Sequence, residues 1–242
     1  MNRIVLVLVL CCSVVLCSPP EHPPSFADVY YATSADVCNR VQLPNCPSDF
    51  VGGQILSQIF YDYPNARTMA LDNYNVAQTN LSSDQTYLFD SNNTLITQVY
   101  QYFAGASGWE CLQTAIPGSF IPPNLQTAAV YNETMFFNRY LSYRYLLKNR
   151  VPSLEQYWFI NSRNTEEYLG FESVDGAEIG YFLEYEPNAD LSSPNIWAVP
   201  PNVCPEPVEY TEIDLKTKSI IARLLSKIPL NLPDEVLEFF FM

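Results

Sequence analysis

Apolar and polar residues alternate with a period of two along most of the chain, and turn residues interrupt the alternation at short intervals. Gln54–Tyr61 and Arg67–Tyr74 flank Tyr63-Pro64-Asn65, while Gln85–Phe89 and Leu95–Phe103 flank Asp90-Ser91-Asn92-Asn93. Gly105–Gly108 then leads into Trp109–Ile116, and this spacing predicts an antiparallel meander. Beyond a loop from Pro117 to Pro123 and a short helix capped by Asn124 and running to Val130, Phe136–Leu147 reads as one long strand. Its residues Leu141, Tyr143, Tyr145 and Leu147 share a face. Leu154–Ile160 and Glu166–Glu172 pair across Asn161–Thr165, Asp175-Gly176 turns the chain into Glu178–Tyr185, and Pro187–Pro201 is a loop. The pattern predicts a mainly β fold.

Both ends break the two-residue period. Arg3 followed by the apolar run Ile4–Leu16 has the layout of a signal peptide, too short to span a bilayer, with cleavage expected after Cys17. Ser18–Val37 carries Pro19, Pro20, Pro23 and Pro24 and reads as an extended arm. At the other end Ile220, Ile221, Leu224, Leu225 and Ile228 recur at helical spacing among Lys216, Lys218, Arg223 and Lys227. This basic amphipathic helix, Thr211–Ile228, ends at Pro229, ahead of Val236, Leu237, Phe239, Phe240 and Phe241. The expected organisation is therefore a signal peptide (1–17), an arm (18–37), one β domain (38–205) and a helical extension (206–242).

The chain holds 17 Tyr, 14 Phe and 3 Trp against 8 Gly, an aromatic excess that favours sheet. Its formal net charge of −14 argues against nucleic acid as a partner, because phosphate recognition needs a basic face. Of the 7 cysteines, Cys38, Cys46, Cys111 and Cys204 lie beyond the leader, and in an oxidising compartment they predict two disulfides drawn from three pairings. Sequons at Asn80, Asn92 and Asn132 predict N-glycosylation in solvent-facing loops. The expected location is extracellular, or the lumen of the secretory or lysosomal pathway.

Candidate chemistry is sparse. The single histidine, His22, sits in the proline-rich arm, and neither H-E-x-x-H, G-x-S-x-G nor a glycine-rich phosphate loop occurs. Asp90-Ser91-Asn92-Asn93 is no EF-hand, since Leu95 and Gln101 stand where Gly and Glu are needed. Glu184 and Glu186, two apart on one strand, are the best carboxylate pair for a hydrolase. No catalytic residue, metal ligand or cofactor is expected.

The order of landmarks resembles the ependymin-related proteins and, more remotely, the bacterial lipoprotein carriers of the Lol system. The matching residues are Asn45-Cys46-Pro47, Gly52-Gly53-Gln54, Tyr61-Asp62-Tyr63-Pro64-Asn65-Ala66-Arg67, a strand bearing Cys111, a strand bearing Trp158, and Pro200-Pro201-Asn202-Val203-Cys204. The departures are an extra Cys38, no cysteine around Gly170–Val174, and the C-terminal extension. These bear on the disulfide pairing and on a homodimer interface. The resemblance implies a curved antiparallel sheet, a half-barrel or two stacked sheets, around an apolar cavity with helices near its mouth. It also implies non-covalent binding of a lipid or other hydrophobic small molecule, and pairing of Cys111 with Cys204, which leaves Cys38 for Cys46.

On that basis the expected ligand-binding residues are Ile59, Tyr61, Tyr143, Tyr145, Trp158, Ile160, Tyr181 and Leu183, chosen because they alternate along strands. The same residues would equally pack a closed core, and the alternative function is an extracellular adhesion or matrix glycoprotein with weak calcium binding. For Thr211–Ile228 two partners are weighed: the domain's own acidic surface, which is preferred, and an anionic membrane.

Overall fold

The structure of the protein, a computed structural model, describes residues 18–41, 46, 48–77, 79–123, 129–148, 155–201 and 204–241. The expected signal peptide and residues 124–128 of the expected short helix lie outside the described residues. Six strands form a first meander: β1 (Val29–Cys38), β2 (Gln54–Asp62), β3 (Arg67–Asn75), β4 (Leu81–Asp90), β5 (Thr94–Phe103) and β6 (Glu110–Pro117). After the short β7 (Ser119–Phe120), a second meander contains β8 (Val130–Phe137), β9 (Tyr140–Leu147), β10 (Gln156–Asn161), β11 (Tyr168–Ser173) and β12 (Glu178–Pro187). The chain finishes with β13 (Val208–Glu209), α1 (Leu215–Lys227), β14 (Leu230–Asn231) and α2 (Asp234–Phe241).

The two meanders fuse where β1 pairs antiparallel with β12, giving one sheet of 12 strands in the order β13-β6-β5-β4-β3-β2-β1-β12-β11-β10-β9-β8. The fold is thus mainly β, a large curved antiparallel sheet that does not close into a barrel. The short β13 runs parallel to its neighbour, β6. Both terminal helices pack on the concave face.

Two expectations about elements are corrected. The domain does not begin at Cys38, because half of the expected arm is β1, the strand that joins the meanders. Its inward positions are Tyr30, Ala32, Ser34 and Asp36, mostly small or polar, so it lacks the bulky apolar alternation of its neighbours. The long strand expected at 136–147 is a hairpin. Asn138 and Arg139 both have positive φ (45° and 72°), the geometry of a two-residue turn whose twist suits a hairpin, and Phe137 pairs with Tyr140 across it. The basic amphipathic helix is α1, in which Thr217 and every residue from Ser219 to Leu225 are buried.

α1 starts at Asp214, whose carboxylate accepts from the backbone N–H groups of Lys216 and Thr217 at 2.9 and 3.0 Å. It ends at Lys227, just before Pro229, which cannot continue a helix. The curved sheet wraps one side of it, and Val236, Leu237, Phe240 and Phe241 of α2 belong to the same core. Pairing of Leu230 with Phe120 and of Asn231 with Ser119 ties the turn between the helices to the end of the first meander.

Candidate ligand-binding site

Six of the eight expected ligand-binding residues share the concave core. Ile59 and Tyr61 come from β2, Tyr143 and Tyr145 from β9, and Trp158 and Ile160 from β10, all buried. The other two do not join them. In β12, Thr33 pairs with Glu184 and Ser34 with Phe182, so Leu183 is an extra residue at a bulge, 64% exposed. Tyr181 faces the convex side, where it stacks on Phe137 with ring centroids 5.3 Å apart. The inward residues of β12 are Glu178, Gly180, Phe182 and Tyr185. Glycine is required at 180: a Cβ there would lie 2.2 Å from the Phe171 ring and 2.8 Å from the Asp36 carboxylate.

The aromatic residues of this half surround a ring that comes from the proline-rich arm. Phe26 lies with its centroid 4.5 Å from Tyr168, 5.3 Å from Tyr30 and Trp158, and 5.4 Å from Tyr185. The arm's backbone is bound as well. Tyr145 donates its hydroxyl to the Pro20 carbonyl at 2.8 Å, Tyr168 donates to the Pro24 carbonyl, and the Ala27 N–H donates to the Tyr185 hydroxyl at 2.9 Å. Burial pushes the Tyr145 hydroxyl up to about 12 and raises that of Tyr168, so both remain protonated donors at neutral pH.

With Phe26 in place the apolar cavity between arm and sheet is small. It measures about 20 Å³, the space of one water, and is lined by Phe26, Tyr30, Ile59, Trp158, Phe171, Phe182 and Lys227 among others. The Trp158 Nε1–H is buried and finds no hydrogen-bond partner among the described residues. Outside, at the end of the second meander, a groove of about 550 Å³ runs over Tyr168, Phe182 and Tyr185 and is bordered by Tyr140, Leu183, Glu166, Glu167 and Glu184.

Beneath α1 the otherwise apolar concave face carries an ionic cluster. Arg223 of α1, 1% exposed, reaches Asp36 of β1 at 3.1 Å, Glu178 of β12 at 3.5 Å and Asp72 of β3 at 4.0 Å. Lys227 also pairs with Asp36, and Tyr74 donates to Asp84 of β4. Burial alone would raise Asp36, but Lys227 and Arg223 hold its carboxyl below the usual carboxylate range. Glu178 goes the other way, raised by burial despite Arg223, and burial with the neighbouring Asp72 raises Asp84 well above that range. These carboxylates sit at inward strand positions, and the one signal for them in the sequence was a basic helix on an acidic chain. Lys216 and Lys218 lie over the rings of Phe103 and Phe239, at 5.4 and 4.5 Å, so the helix docks on the protein itself.

Two cysteine pairs stand at disulfide distance, Cys38 with Cys46 (Cα–Cα 5.6 Å) and Cys111 with Cys204 (5.1 Å). Such pairs belong to an oxidising, non-cytosolic compartment. Among the described residues no helix is long and apolar enough to cross a membrane, and no group of acidic, histidine or cysteine residues could hold a metal ion. Asn80, Asn92 and Asn132 are all exposed. Asn132 is also the unpaired residue of a bulge on the edge strand β8, between Tyr131, opposite Tyr145, and Glu133, opposite Arg144. Glu184 and Glu186 are exposed, only Glu184 borders the groove, and the two do not meet across a polar cleft.

No protein-family model matches the chain, and no curated protein matches it in sequence. Among solved structures it is similar to an uncharacterized conserved protein of Thermus thermophilus, at 9% identity and a TM-score of 0.44, over 75% of this chain and 90% of that one. A likeness at this level carries no argument about function.

Proposed function

We propose that this chain is a secreted, ependymin-like carrier that binds a lipid or other hydrophobic small molecule non-covalently. The observation that carries the reading is the aromatic nest on the concave face, built by Tyr30, Trp158, Tyr168 and Tyr185 from four strands around a ring that belongs to none of them. An apolar ligand there would be held by removal of its surface from water, at roughly 25 cal/mol per Å². The reading requires no catalytic residue and no cofactor. It is tested on protein secreted from a eukaryotic host, by native mass spectrometry and lipid extraction, with bound lipid as the expected result. Protein that carries nothing and takes up no Nile red overturns it.

A second reading, an extracellular adhesion glycoprotein, is favoured by one observation: the 20 Å³ cavity leaves the concave side packed rather than open. Under that reading the aromatic nest is core, and no apolar probe enters it.

A further inference from the structure

The proline-rich arm sits on the sheet as a bound molecule would. Pro19, Pro20, Pro23 and Pro24 carry no N–H, so this stretch cannot add to the sheet as a regular strand. It is held by one inserted ring, Phe26, and by side-chain hydroxyls that reach its backbone. Two of those hydroxyls, on Tyr145 and Tyr168, donate to carbonyl oxygens. A third donor of the same wall, the Trp158 Nε1–H, is buried without an acceptor among the described residues.

Resting on the carrier reading, we propose that the nest around Phe26 is the ligand site, that the arm stoppers it in cis, and that the ligand is an amphiphile with an uncharged carbonyl headgroup, an acyl ester or amide. The wall states this chemistry through what it offers. Once the arm leaves, Tyr145, Tyr168 and Trp158 present O–H and N–H donors that an ester or amide carbonyl satisfies, and the space of the Phe26 ring takes an acyl chain. A fatty-acid anion fits less well. The cation nearest the cavity, Lys227, is already paired with Asp36, and the groove that shares Tyr168, Phe182 and Tyr185 with the nest is bordered by Glu166, Glu167 and Glu184 and, among the described residues, by no basic side chain. That groove is the route in: Phe182 lines both it and the inner cavity.

The test uses the full mature chain with its disulfides, titrated with monoolein and with oleate at neutral pH and read by displacement of Nile red. Phe26→Ala is expected to raise monoolein affinity roughly tenfold or more over the parent, and to favour monoolein over oleate by a similar factor. Adding Tyr168→Phe is expected to weaken monoolein several-fold, because the hydroxyl that would donate to its carbonyl is removed. Circular dichroism establishes that each variant is folded; should Phe26→Ala fail, Phe26→Leu gives the same ordering with a smaller gain. If the parent binds monoolein and neither Phe26 variant binds it tighter, the stopper is wrong while the carrier stands. Equal affinity for oleate overturns the headgroup assignment. If no chain takes up Nile red, the carrier reading falls and this inference with it.

Discussion

Arg223 places its guanidinium 3.1 Å from the carboxylate of Asp36, joining α1 to the strand that fuses the two meanders across a separation of 187 residues. Neither group is reachable by water, so their charges are balanced within the cluster, by Lys227 beside Asp36 and by Glu178 and Asp72 beside Arg223. Replacing Arg223 with methionine leaves Asp72 and Glu178 without their main counterion and Asp36 with Lys227 alone, and we expect a loss of about 3–5 kcal/mol in urea unfolding. Asp36→Asn in the Arg223→Met background should recover part of that loss. If the two changes are simply additive, the pair does not couple and the ionic seat of the helix is misread.

Stability should depend on pH with a definite sign. Glu178 and Asp84 are raised in the folded state, so their contribution is full below the unfolded value, 4.5 for Glu and 3.8 for Asp, and is lost as pH rises through their raised folded values. Asp36 is lowered, so its contribution is present above 3.8 and lost as pH falls through its lowered folded value. The net charge of −14 at pH 7 adds self-repulsion at the alkaline end. Tm should therefore be highest in mild acid, near pH 5, and lower at pH 8, with Glu178→Gln flattening the slope between them. A Tm that rises steadily from pH 5 to pH 8 would contradict the assignment.

Cys111 and Cys204 close a loop with a sequence separation of 93 and fasten β6 to the segment that leads into β13 and α1. By the chain-entropy estimate this bridge is worth about 4–5 kcal/mol, against about 2.5 kcal/mol for Cys38–Cys46, which spans 8. Replacing Cys111 and Cys204 together by serine should lower stability by the larger amount, and non-reducing peptide mapping should recover both pairs. A Cys46–Cys111 peptide would refute them.

The two faces of the second meander can be told apart by substitution. Trp158→Ala should destabilise by about 3–5 kcal/mol, as expected for a buried aromatic. Leu183→Asp, at the exposed bulge, should change stability by less than about 0.5 kcal/mol. Equal costs would mean that Leu183 is buried in solution and that the bulge is misplaced.

Much of the sheet was legible because its strands alternate cleanly and its turns carry their own chemistry: Gln54–Asp62 and Thr94–Phe103 were read to within a residue at each end. β1 was not, since Ala32, Ser34 and Asp36 face inward to make room for a helix and its counterions, a requirement set by residues nearly two hundred positions away. Leu183 was misplaced because a period of two cannot survive a bulge, and nothing local to Phe182-Leu183-Glu184 announces one; Tyr181, which pairs in regular register with Ala35, was misplaced because alternation alone does not say which of its two sets faces inward. The hairpin at Asn138-Arg139 hid inside an apolar run because arginine rarely adopts positive φ. Phe26 went unnoticed as a core residue since four prolines made its surroundings look like linker.

The pairing of β1 with β12 also sets an order of events. Residues 29–38 leave the ribosome early, yet one of their two sheet neighbours comes from residues 178–187, and the counterions of Asp36 come later still, at 223 and 227. A chain made from the N-terminus must hold an unpaired strand edge and an unneutralised acid until residues 178–187 and then 223 and 227 have been made. Folding of the centre is thereby tied to the synthesis of α1, and a chain cut short before it cannot neutralise its own centre.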